Sequence, residues 1–123
     1  MIMITAIIRP FRLEAVRQEL IDAGLLGLTV VECVGHGQNP KFVSGLRGGA
    51  DVAELLPAAK VEIAVPDDSQ DAAIDAIVRG ARSGNADDGK IFVTKLDRVV
   101  TVKTGWNSHD ATHLLEGFIV AAE

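Results

Sequence analysis

Seven residues near the start of the chain, Ile2-Met3-Ile4-Thr5-Ala6-Ile7-Ile8, form an almost unbroken apolar run. A run this short and this apolar reads as a β-strand covered on both faces, because successive strand residues point to opposite sides and neither side here is polar. Arg9-Pro10 closes it, since proline cannot extend a hydrogen-bonded ladder and restricts the residue before it. Such a strand needs a sheet around it, helices on one face and a further cover on the other.

The rest of the chain supplies those parts in order. Leu13, Val16, Leu20 and Ala23 recur at helical spacing, and Gly24 stands where a helix ends. Leu28 to Val34 is rich in β-branched residues and predicts a second strand, with Thr29, Val31 and Cys33 on one face. From Gly37 to about residue 55 there is no sustained period, and Pro40, Gly45, Gly48 and Gly49 mark a long loop, a connection that compact domains keep for function. Lys60 to Val65 alternates as a third strand ended by Pro66. Asp68 is placed to cap a second helix whose buried stripe is Ile74, Ile77, Val78 and Ala81. Lys90–Val93 and Arg98–Lys103 complete the extended segments. The order is βαββαβ, an α+β ferredoxin-like arrangement of two helices on a four-stranded antiparallel sheet. Oligomerisation is the expected cover for the other sheet face.

One loop concentrates chemistry. Gly84-Asn85-Ala86-Asp87-Asp88-Gly89-Lys90 runs straight into the apolar β-formers Ile91-Phe92-Val93. Read locally, it fits two descriptions: a turn that leads into a strand, or a loop whose backbone N–H groups and lysine hold a phosphate, with Asp88 orienting the lysine or capping the loop.

Composition narrows the partners. Seventeen acidic residues against twelve basic ones give a net charge of −5, which opposes broad binding to nucleic acid or to an anionic membrane. No tyrosine, one tryptophan and four phenylalanines are too few for a base-stacking platform. Nothing approaches the length of a membrane span, and the apolar start has neither a basic stretch before it nor a small-residue cleavage site after it. The expected compartment is the cytoplasm, and the single Cys33 agrees as a buried, reduced thiol.

From residue 1 to about 105 the chain resembles the PII signalling superfamily. The resemblance rests on Arg9-Pro10-Phe11-Arg12-Leu13, Gly27, Thr29-Val30, Gly35, Gly37, Arg47-Gly48, Leu56-Pro57, Val65-Pro66-Asp67-Asp68, Asp88-Gly89-Lys90-Ile91-Phe92-Val93, Arg98-Val99 and Thr104-Gly105. It implies a homotrimer with inward-facing sheets, adenine nucleotide (ADP, AMP or ATP, with Mg²⁺ accompanying ATP) in clefts between subunits, and a loop at 37–55 that meets a transporter or enzyme. It implies a sensor, with no catalytic residue and no catalytic cofactor. Carried over, it assigns Thr29, Glu62 and the backbone near Ala64 to adenine and ribose. Gly35, Gly37 and Gln38 fall to the loop at the phosphates, with Asp88, Gly89 and Lys90 along the phosphates and Lys103 reaching in from a neighbour. Lys41 and Arg47 are the loop's candidates for a partner or anion.

The departures are equally specific. The family's uridylylated tyrosine and phosphorylated serine correspond to Asp51 and Gly49, which cannot carry those modifications. Thr101 and Lys103 replace two arginines, removing a bidentate fork, Asp87 replaces a glycine, and Asn85 replaces a basic residue. Asn39 and Ala58 stand where a glutamine and a lysine help hold 2-oxoglutarate, and the lost cationic partner is worth roughly 1.5–3 kcal/mol. These departures favour a regulator of the inorganic-carbon type with bicarbonate as a second ligand over a nitrogen regulator acting on an ammonium channel. From other classes stand a nucleotide hydrolase using Asp87 or Asp88 with a metal, and a metal-binding protein drawing on Cys33, His36, His109 and His113. Residues 106–123 form a C-terminal extension, in which Ser108 or Asp110 could cap a short helix and Trp106 is expected to pack.

Overall fold

The computed structural model of the protein describes residues 1–37 and 55–107. Its elements are β1 (Ile2–Ile8), α1 (Leu13–Asp22), β2 (Leu28–Gly35), β3 (Leu56–Val65), α2 (Gln70–Ala81) and β4 (Gly89–Lys95). Short 3₁₀ turns, Pro10–Arg12 and Asp67–Ser69, lead into the two helices. The strands form one sheet in the order β2-β3-β1-β4, every pair antiparallel. The βαββαβ order and the ferredoxin-like sheet expected from the sequence are both present.

Helix α1 ends at Gly24, whose φ of +78° lets the chain turn back. The Gly24 N–H donates to the Ile21 carbonyl at 2.9 Å and the Leu25 N–H to the Leu20 carbonyl at 2.9 Å, so two last-turn carbonyls are satisfied. Ala23 is the exposed cap residue and not part of the buried stripe. Helix α2 differs from expectation at its start: Ser69, not Asp68, is the cap residue, and no side chain caps the helix. Its buried face is Ala73, Ala76, Ile77, Gly80 and Ala81, with Ile74 and Val78 half-buried. The stripe is turned toward small residues because α2 packs closely on α1 there, as Gly80 shows below.

The core lies between the sheet and the helices. Ile2, Ile4, Ala6 and Ile8 alternate with residues that are only half-buried, and they meet Val16, Leu20, Ala59, Val61, Ile63, Val65, Ala73, Ala76, Ile77 and Ala81. Each large side chain so buried contributes about 1.5–3 kcal/mol. In one chain, then, β1 is covered on one face and not on two, since both helices lie on the same side. Met3, Thr5 and Ile7 occupy the open face at half burial, while Val31 and Phe92 beside them are exposed.

β4 extends beyond the expected Lys90–Val93 at both ends, and two other extended segments depart further from expectation. β3 begins at Leu56 and not Lys60, which brings Pro57 inside a strand. Pro57 is tolerated because it pairs only with Val34 of β2, while β1 ends its pairing at Ala59, so no ladder bond is demanded on the other side. Arg98–Lys103 is not a strand. It leads into a turn held by an isolated bridge, Val100 to Asn107, with Thr101 N–H donating to the Trp106 carbonyl at 3.1 Å and Arg98 Nε to Asn107 Oδ1 at 2.9 Å. Trp106 does not pack as expected but stands 69% exposed. Cys33 is half-buried, with Sγ 3.6 Å from the Ala58 carbonyl. Among the described residues no helix is long and apolar enough to cross a membrane. The extension beyond Asn107, with His109 and His113, lies outside the described residues.

Candidate functional site

The register of the sheet decides which candidates meet. On the open face one row runs Thr29, Glu62, Thr5 and Phe92, and the next runs Val31, Lys60, Ile7 and Lys90. Beyond them β2 and β3 finish together at Gly35 and Leu56. An open cleft of ≈ 590 Å³ lies at that end, lined by Ile7, Arg9, Gly35, His36, Gly37, Leu56, Ala58, Asp87, Gly89, Lys90 and Phe92 among others. Gly35, Gly37, Gly89 and Lys90, from the predicted set, are therefore brought together, and among the described residues Gly35 and Leu56 are the paired residues that flank residues 38–54.

The remaining candidates go elsewhere. Thr29 and Glu62 face each other across β2 and β3, and Thr5 Oγ1 donates to Glu62 Oε2 at 3.1 Å, with Lys60 Nζ 3.8 Å from Glu62 Oε1. Ala64 lies two residues further on the same strand. These three stand on the open sheet face and do not line the cleft. Lys103 is an exposed residue of the turn before Gly105. Gln38, Lys41 and Arg47 lie outside the described residues.

The loop before β4 departs most from a simple phosphate cradle. The Ser83 N–H donates to Asp88 Oδ2 at 2.7 Å and the Gly84 N–H to the same oxygen at 3.0 Å, while Ser83 Oγ donates to Asp88 Oδ1. These bonds hold the Asp88 carboxyl below the ordinary aspartate range, the Ser83 hydroxyl contributing most, then the Ser83 N–H. Two backbone donors of the loop are thus spent on an internal carboxylate. Asp88 caps the loop; it lines a smaller hollow of ≈ 150 Å³ beside Ile77, Val78 and Arg82. Gly89, at φ +129°, would place a Cβ 2.0 Å from the Ile7 carbonyl oxygen, so a glycine is required there by strand packing alone.

Arg9 and Phe92 line the cleft without a role assigned from the sequence, and Asp87, read there as a replacement for glycine and as a carboxylate of the hydrolase alternative, lines it too. Arg9 has an extended backbone ahead of Pro10 and lines the cleft from the end of β1. The signal for it was its place directly after a strand whose partner strand carries Lys90. Among the described residues neither the Arg9 guanidinium nor the Lys90 ammonium makes an ion pair or side-chain hydrogen bond. Two uncommitted cations beside a glycine-rich stretch of backbone suit an anionic group. Among the described residues no group of three or more His, Cys, Asp or Glu could hold a metal ion.

Comparison with known proteins identifies the family. The family model described as "Nitrogen regulatory protein P-II" matches residues 1–106. Nitrogen regulatory protein P-II 1 of Escherichia coli K12 is 43% identical over 102 residues, covering 83% of this chain and 91% of that protein. Nitrogen regulatory protein P-II of Mesorhizobium japonicum is 42% identical over 108 residues, covering 88% and 96%. The Rhodobacter capsulatus protein of the same name is 40% identical over 108 residues, with the same coverage. With the motifs in register, the four-stranded sheet in place and nearly the full length of these relatives matched, the chain belongs to the P-II family.

Proposed function

We propose that this P-II family regulator senses adenine nucleotide, as ADP, AMP or ATP, with Mg²⁺ accompanying ATP. It binds in a cleft that a neighbouring copy in a homotrimer completes, with Lys103 coming from that neighbour. The state of the cleft passes through residues 37–55 to a transporter or enzyme, in the cytoplasm and without catalytic turnover. The observation that carries this reading is that the cleft holding Arg9 and Lys90 lies where β2 and β3 end at Gly35 and Leu56. A ligand seated there touches Gly35, Gly37 and Leu56, on both sides of residues 38–54, so ligand binding and partner binding through that segment are expected to be coupled reciprocally.

A small anion, with bicarbonate as the candidate, is the proposed second ligand. Ala58 lines the cleft and offers no cation to a dicarboxylate. The nitrogen-regulatory reading, with an ammonium channel as target, is favoured by the names of the relatives. Calorimetry separates the two: ADP is titrated first, and then 2-oxoglutarate with Mg-ATP, or bicarbonate with ADP, is added. A nucleotide-dependent bicarbonate response supports the first reading; a micromolar 2-oxoglutarate response transfers the protein to the second. Failure to bind any adenine nucleotide removes both.

A further inference from the structure

Asp87 and Asp88 are adjacent and chemically identical, yet they have opposite surroundings. The Asp88 carboxylate takes its hydrogen bonds from the Ser83 N–H, the Ser83 hydroxyl and the Gly84 N–H. Asp87 is half-buried, lines the cleft, and has no hydrogen bond or ion pair among the described residues. Its charge is uncompensated in the same space as the charges of Arg9 and Lys90. The loop donors that could offset additional negative charge, the Ser83 and Gly84 N–H groups, are already held by Asp88.

The cleft therefore presents two cations and one anion, not a uniformly positive pocket. One phosphate group satisfies the cations. Each further phosphate adds negative charge that meets the Asp87 carboxylate, and the Ser83 and Gly84 N–H groups, held by Asp88, do not offset it. We infer that Asp87 is a specificity-determining residue that limits the phosphate charge this cleft accepts, so that nucleoside mono- and diphosphates are preferred over a metal-free triphosphate. The inference rests on the nucleotide reading above.

The test is calorimetric titration of the full chain with AMP, ADP and ATP in EDTA, repeated with Asp87→Asn and Asp87→Glu. The wild type should bind ATP more weakly than ADP. Asp87→Asn should strengthen ATP on the order of tenfold, ADP less, and AMP by about threefold, because the removed repulsion scales with ligand charge. Asp87→Glu should keep the wild-type order, and Mg²⁺, by neutralising part of the triphosphate, should narrow the wild-type gap. Equal gains for all three nucleotides, or none, overturn the inference and leave the nucleotide reading standing. If Asp87→Asn fails to fold, wild-type protein that prefers metal-free ATP to ADP and AMP overturns it unaided. Absence of binding by every nucleotide removes the reading and the inference together.

Discussion

A Cβ placed on Gly80 would lie 2.6 Å from the Cα of Val16 and 2.7 Å from its backbone nitrogen, so α1 and α2 meet there backbone to backbone. Arg12 Nε reinforces the contact by donating to the Gly80 carbonyl at 2.8 Å. Gly80→Ala raises intrinsic helix propensity by about 1 kcal/mol but forces the helices apart, and overpacking of this kind costs about 1–3 kcal/mol or more. The expected outcome is net destabilisation in a urea titration with an unchanged slope. A stabilised variant would mean that the helices separate at little cost.

Gly89→Ala should be the more damaging change. Backbone strain at φ +129° costs about 1–3 kcal/mol before the clash with the Ile7 carbonyl is counted. Hydrogen exchange should show early loss of protection along β4, beginning beside Lys90, and circular dichroism should show a lowered Tm.

The Asp88 loop should respond to acid. Folding lowers the pKa of this carboxyl through the Ser83 hydroxyl and the N–H groups of Ser83 and Gly84. A lowered folded value means that the stabilisation is present above the unfolded value, about 3.9, and disappears as pH falls through the folded value. The amide resonances of Ser83 and Gly84 should therefore hold steady from neutral pH down to that region and titrate together below it. Asp88→Asn should abolish the shared titration; separate midpoints for the two amides would mean that they do not share one carboxylate.

Lys90→Ala should weaken ADP binding by about 1–3 kcal/mol, tenfold or more. Lys103→Ala should weaken it too if a neighbour supplies that cation. Lys95→Ala is the control, since Lys95 lies at the far end of β4 and outside the cleft. Equal affinities for the wild type and Lys90→Ala would place the nucleotide elsewhere.

Light scattering should give a mass near three times 13.0 kDa. The open sheet face, with Ile7 half-buried and Val31 and Phe92 exposed, requires cover, and a closed threefold ring supplies it. A monomer at micromolar concentration contradicts the assignment.

Much of the fold was legible because its signals are local. The apolar run before Arg9-Pro10, the helical spacing ending at Gly24 and the alternation at 60–65 each specify an element without reference to the others. What was not legible depends on neighbours. The early start of β3 is hidden by Pro57, acceptable only because β1 has already stopped pairing. The small-residue face of α2 depends on how closely α1 approaches. Arg98–Lys103 has strand-like composition but, among the described residues, forms only the isolated bridge from Val100 to Asn107. At the site, Gly35, Gly37, Gly89 and Lys90 could be named from motifs. The different fates of Asp87 and Asp88 follow from where Ser83 and Gly84 direct their N–H groups, which composition does not reveal.

Because the ladder between β2 and β3 closes with Gly35 opposite Leu56, the ends of the intervening segment are fixed side by side by the sheet itself. Among the described residues, the strands on both sides of that segment form a frame, pairing with one another without drawing on it. Loop-closure entropy rises only about 0.6 kcal/mol for each doubling of length, so segments of different length and composition can be exchanged there at small cost to the frame. A sheet that ends in this way leaves the cleft beside Gly35 and Leu56 in place whatever sequence joins them.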